Sequence, residues 1–205
     1  MPETTVVPGF LPSTHGLHFA NRFPPGPTVR LGPIDARWFG IGDASNGLCG
    51  GMATFVRERF EAGQPIVADR EVPANGSPLF QVLVRRQVKS LEWLRTPFGF
   101  WWIGAFGPQR TASRTRESEW PKIRATIALG RLAMVGLVRH QGANPFDLQK
   151  SHQVLAWGFD LDGDTITLRL YDPNWPDRDD VAVVLAPRSL RQTTGETLYG
   201  FLSLP

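Results

Sequence analysis

The last third of the chain limits the fold most. Gln153 to Phe159 and Thr165 to Tyr171 are apolar, strand-forming runs, the second alternating through Ile166, Leu168 and Leu170. Between them lies Asp160-Leu161-Asp162-Gly163-Asp164, a stretch of turn-forming residues. Two strands joined by so short a connection fold back on each other, because a parallel pair needs a crossover of a dozen or more residues. Val181 to Leu185 and Leu198 to Leu204 read as further strands, and Leu132 to Val138 as a buried one.

The helical signals come earlier. Met52, Phe55, Val56 and Phe60 recur at three- and four-residue steps until Ala62-Gly63-Gln64-Pro65, predicting a helix that begins close to Cys49 or Gly50. A second helix is predicted over Ser77 to Leu94, with the stripe Leu79, Phe80, Leu83, Val84, Val88, Leu91 and a proline in its first turn at Pro78. A third runs from Glu119 or Trp120 to Leu129, with Pro121 near its start and Gly130 just past its end. Arg110 to Glu119 is polar and expected to be exposed, while the aromatic run Phe98 to Phe106 fits either a strand or a packed loop. Residues 1–33 hold seven of the eighteen prolines, which forbids a long helix and predicts an extended arm pinned by Phe10, Phe19 and Phe23. Helices first and a largely antiparallel sheet after them make an α+β fold, and 205 residues suit one domain, 1–205, with residues 1–33 as its arm.

Composition excludes several classes. The chain is 41% hydrophobic and 20% charged, which is globular rather than disordered. Its 22 basic and 19 acidic residues leave a net charge of +3, and the basic ones are scattered, so no nucleic-acid partner is expected. No run approaches the roughly 18 apolar residues of a membrane span. Met1 to Val7 lacks a basic, apolar signal pattern, so the expected location is the cytoplasm, or outside it by a route without a standard signal peptide. Asp160, Asp162 and Asp164 alternate like the opening of a calcium loop but lack its distal Glu, and a hairpin turn is the better reading. His15, His18 and His140 have no partners at metal-ligand spacing and read as surface or packing residues; Trp93, Trp101, Trp102 and Trp120 read as core. No metal and no cofactor are therefore expected.

One cysteine, Cys49, rules out an intrachain disulfide and leaves that residue as either inert packing or chemistry. Its surroundings, Asn46-Gly47-Leu48-Cys49-Gly50-Gly51-Met52, place the thiol at a helix start, where the dipole and backbone N–H groups favour a thiolate, and the flanking glycines would let a substrate backbone approach. A nucleophilic cysteine also needs an imidazole, and His152 opens the first strand of the hairpin. Counted from a turn centre near Asp162, His152 lies ten residues before and Asp172 ten after, so the hairpin brings an acceptor, Asp172 or Asn174, beside the ring.

Cys at a helix start, His on a strand, then Asp or Asn at the end of the next strand resembles the papain-like cysteine peptidases. The segments Gly47 to Met52, Leu129 to Val138, Ser151 to Leu155 and Tyr171-Asp172-Pro173-Asn174 look most like bacterial peptidases of the double-glycine leader-cleaving type. The resemblance implies a papain-like arrangement, with N-terminal helices on a C-terminal antiparallel sheet. It also implies a catalytic set of Cys49, His152 and Asp172 or Asn174, an acyl-enzyme intermediate, and hydrolysis of a peptide or related amide in a peptide or protein substrate. Such enzymes usually carry a Gln six residues before the nucleophile to stabilise the oxyanion. Here that position is Asp43, a poor donor, and Asn46 is the candidate replacement alongside the Cys49 N–H. Two alternatives follow: the same residues performing acyl transfer or deamidation on a partner protein, or, given Asp43, a non-catalytic binding module.

Overall fold

The computed structural model describes residues 3–25, 30–31, 34–35, 47–90, 108–139 and 151–205. The Phe98 to Phe106 run, Asp43, Asn46, His140, Trp93, Trp101 and Trp102 lie outside the described residues. The arm contributes strand β1 (Glu3–Val6) and the single turn α1 (Pro12–His15), and its last strand β2 (Arg30–Leu31) pairs with β3 (Ile34–Asp35) just beyond it in a small ribbon. Helices α2 (Cys49–Glu61) and α3 (Pro78–Ser90) follow, then α4 (Pro108–Arg114), which passes through a π-turn at Thr115–Glu119 into α5 (Trp120–Ala128). The remaining strands are β4 (Ala133–Val138), β5 (His152–Asp162), β6 (Thr165–Tyr171), β7 (Ala182–Ala186), β8 (Ser189–Gln192) and β9 (Gly200–Ser203). Mixed helix and antiparallel sheet make this an α+β fold, as the order of elements in the sequence predicts.

The hairpin organises the sheet, whose order is β8-β7-β6-β5-β4-β9, with every neighbour antiparallel. In β6 the alternation of Ile166, Leu168 and Leu170 turns these three inward. The eleven-residue β5 divides one edge between two partners, pairing β4 along His152 to Ala156 and β1 along Gly158 to Leu161. Gly158 permits the second pairing, because a Cβ there would lie 2.8 Å from Val6 Cγ1 and 3.0 Å from the Thr5 carbonyl oxygen. The arm is therefore part of the sheet. Its Phe10, Phe19 and Phe23 are buried, together with Leu17, as the pinning role requires.

Two expectations change. The connection is tighter than Asp160 to Asp164: the strands run to Asp162 and resume at Thr165, leaving the two-residue turn Gly163-Asp164 with Gly163 at φ +54°. Asp160 is a strand residue that accepts both Arg169 Nε and Nη2 at 2.9 Å and the Thr4 hydroxyl at 2.7 Å. Arg110 to Glu119, expected to be exposed, is helical and half inward. Thr111, Thr115 and Glu119, spaced one turn apart, are buried against β9. Thr115 Oγ1 donates to the Phe201 carbonyl and accepts its N–H, both at 3.2 Å, and Glu119 accepts the Ser203 N–H at 3.1 Å. That inward face is polar and hydrogen-bonds a strand edge, so a search for apolar periodicity passes over it.

Candidate active site

Cys49 is the first residue of α2 and half-buried. Leu48, the cap position, has no side-chain oxygen to satisfy the free N–H groups of the first turn, so distant residues do it. Asn21 Oδ1 accepts the Leu48 N–H at 2.6 Å and Gln87 Oε1 accepts the Gly51 N–H at 2.8 Å. The glycines around the thiol are also required by close packing within the molecule. A Cβ at Gly47 would sit 2.5 Å from Asn21 Nδ2, and one at Gly50 would sit 2.5 Å from Gln153 Oε1 and 2.4 Å from Ser90 Oγ. One at Gly51 would sit 2.2 Å from the Leu83 carbonyl oxygen of α3. Gly47 also has φ +89°, a backbone region that disfavours other residues.

His152 and Asp172 meet as the hairpin predicts, though by a different route. The last pair of the β5–β6 ladder is Leu155 with Tyr171, after a register shift between Ala156 and Gly158. One step further Asp172 faces Val154, so it reaches His152 along the diagonal rather than straight across. Both side chains are buried, and the His152 Nε2–Asp172 Oδ1 distance is 2.6 Å. With Nε2 directed to the carboxylate, Nδ1 is the nitrogen left to face the sulfur, and the two groups lie close enough for the charge of each to act on the other. The Gln153 N–H donates to Cys49 Sγ at 3.4 Å.

Asn174, the other acceptor candidate, does not hold the ring. Its backbone N–H donates to Asp172 Oδ1 at 2.9 Å, and its side-chain oxygen accepts Asn21 Nδ2 at 3.2 Å. Asp172 has partners that sequence reasoning missed: Gln192 Nε2 donates to its Oδ2 at 2.7 Å, and Arg139 Nη2 lies 3.7 Å from the same oxygen while donating to Gln192 Oε1 at 2.9 Å. Asp43 and Asn46, the oxyanion candidates, fall outside the described residues.

Burial is the largest single influence on all three groups, and it opposes charge on each. Their mutual arrangement overcomes it. The His152 charge and the Gln153 and Gly50 N–H groups hold the Cys49 thiol below its ordinary value. Asp172 and Cys49 together push the His152 imidazole up to about 9. The imidazole charge and hydrogen bond, the Asn174 N–H and the Arg139 charge keep the Asp172 carboxyl below the usual carboxylate range. Opposite shifts in Cys49 and His152 favour a proton on the ring and negative charge on sulfur. No family model, curated protein or solved structure matches the chain.

Proposed function

We propose that the chain is a papain-like thiol hydrolase that cleaves a peptide or related amide bond through Cys49, His152 and Asp172. The observation that carries this reading is the placement of His152, whose Nε2 meets the buried Asp172 carboxylate at 2.6 Å while the N–H of the next residue, Gln153, reaches the thiol at the start of α2 at 3.4 Å. In the proposed reaction Cys49 Sγ attacks the substrate carbonyl carbon, and negative charge develops on the carbonyl oxygen, where the Cys49 N–H and the positive end of α2 stabilise it. Asn46 is the candidate second donor. The imidazolium gives its proton to the departing nitrogen, the carbon–nitrogen bond breaks, and a thioester on Cys49 remains. Water then attacks the thioester carbon while His152 takes its proton, and the acid product leaves with the thiolate–imidazolium pair restored. Asp172 holds the ring in the tautomer and orientation both steps need. No metal or cofactor enters the scheme.

Incubation of the full chain with a peptide library, read by mass spectrometry, tests it. The expected result is cleaved peptides together with an acyl adduct on Cys49, and loss of both in Cys49→Ala. Peptides gaining about one dalton with their backbones intact would mean deamidation instead, and no adduct under any condition would overturn the reading.

A further inference from the structure

Cys49 belongs to α2, whereas His152 and Asp172 belong to the hairpin, so something must fix the distance between the two halves of the site. Asn21, from the N-terminal arm, touches both. Its Oδ1 accepts the N–H of Leu48, the residue before the thiol, at 2.6 Å. Its Nδ2 donates to Asn174 Oδ1 at 3.2 Å, and its backbone N–H donates to the Pro173 carbonyl at 2.9 Å, both in the turn that follows Asp172. The amide orientation is forced, because a backbone N–H accepts nothing and Oδ1 must face Leu48. The arm is itself anchored on either side of Asn21: Phe19 and Phe23 are buried and stack edge-to-face at 6.5 Å, and Phe23 meets Phe80 of α3 at 5.9 Å. Gly47, with no Cβ to displace the carboxamide, completes the fit.

We propose that Asn21 is a positioning residue of the site, a strap that holds the Cys49 turn against the Asp172 turn. The inference rests on the triad reading above, and it makes the arm a working part of the site rather than a segment to be removed before activity. Asn21 acts through Leu48 and Asn174 and touches no reacting atom. Loosening the strap lets the thiol drift from His152 and lose the ion pair, while the His152–Asp172 bond within the hairpin persists.

The test uses the full chain, in which alkylation by iodoacetamide reports on one thiol because Cys49 is the only cysteine. Alkylation rate is followed against pH for the wild type, Asn21→Leu and Asn174→Ala, with circular dichroism and thermal melting recorded alongside. A merely structural residue would lower the melting temperature without moving the pH midpoint of the folded protein. The proposal expects the Asn21→Leu midpoint to rise by about one pH unit or more toward that of a free thiol, and Asn174→Ala to move it in the same direction by less. A folded Asn21→Leu with an unmoved midpoint overturns the strap. If that variant melts below the assay temperature, Asn174→Ala decides alone, and an unmoved midpoint there overturns it too. A wild-type midpoint near the ordinary value of about 8.5 sinks the triad reading and the strap together, whereas a low wild-type midpoint shared by both variants sinks only the strap.

Discussion

A carboxylate with no exposed surface, such as Asp172, survives as an anion only if both of its oxygens are hydrogen-bonded or paired with opposite charge. His152 and the Asn174 N–H meet Oδ1, and Gln192 meets Oδ2 with Arg139 behind it. Replacing Gln192 with Ala removes one donor from a buried charge and should cost about 1–3 kcal/mol of folding stability near neutral pH, measured by urea denaturation. Because the folded Asp172 carboxyl titrates below its ordinary 3.8, its contribution is complete above that pH and is lost as pH falls through the folded value. The gap between wild type and variant should therefore close in acid. Cys49, His152 and Asp172 were legible in the sequence because a lone thiol beside glycines is chemically distinctive and a hairpin ties the other two together. Gln192, Arg139 and Asn21 were not. They arrive from β8, the end of β4 and the arm, and nothing local to those segments fixes where their side chains end up. The glycines are legible as special, but the internal contacts that require them are not, because their partners come from Asn21, Leu83, Ser90 and Gln153, distant in sequence.

At the scale of elements, α2 and α3 approach so closely at Gly51 that backbone meets backbone. Gly51→Ala would gain helix propensity, yet its methyl group would fall 2.2 Å from the Leu83 carbonyl, which cannot swing aside as a side chain can. A net destabilisation of about 1–3 kcal/mol is expected, read as a lower denaturation midpoint, with fewer Cys49 thiols alkylated at neutral pH as the first turn of α2 shifts. An increase in stability would contradict this account of the helix pair. Strands and helices with apolar periodicity were readable, including α5 between Pro121 and Gly130 and the hairpin itself. The inward face of α4 and its π-turn was hidden because Thr115 and Glu119 bury themselves through hydrogen bonds to β9, with Thr111 packed beside them against Gly200. The pairing of β1 with β5 was hidden for a different reason: its partner lies about 150 residues away, and only the opening left by Gly158 admits it.

Taken whole, the molecule is an antiparallel sheet with α2 set against β5, so that the start of the helix and the start of the strand converge on one place. The arm runs through the sheet and the core and passes beside that place at Asn21, which joins its two sides. The central claim is that Cys49 carries negative charge at neutral pH because His152, held by Asp172, carries the proton. The ultraviolet absorbance of the thiolate tests it most directly, recorded on the full chain across the pH range with Cys49→Ala as blank. The account predicts a step whose midpoint lies below that of a free thiol, and a midpoint displaced upward in Asp172→Asn, where the imidazole loses its anionic partner. A single step near about pH 8.5, the same with and without the Asp172 carboxylate, would contradict it.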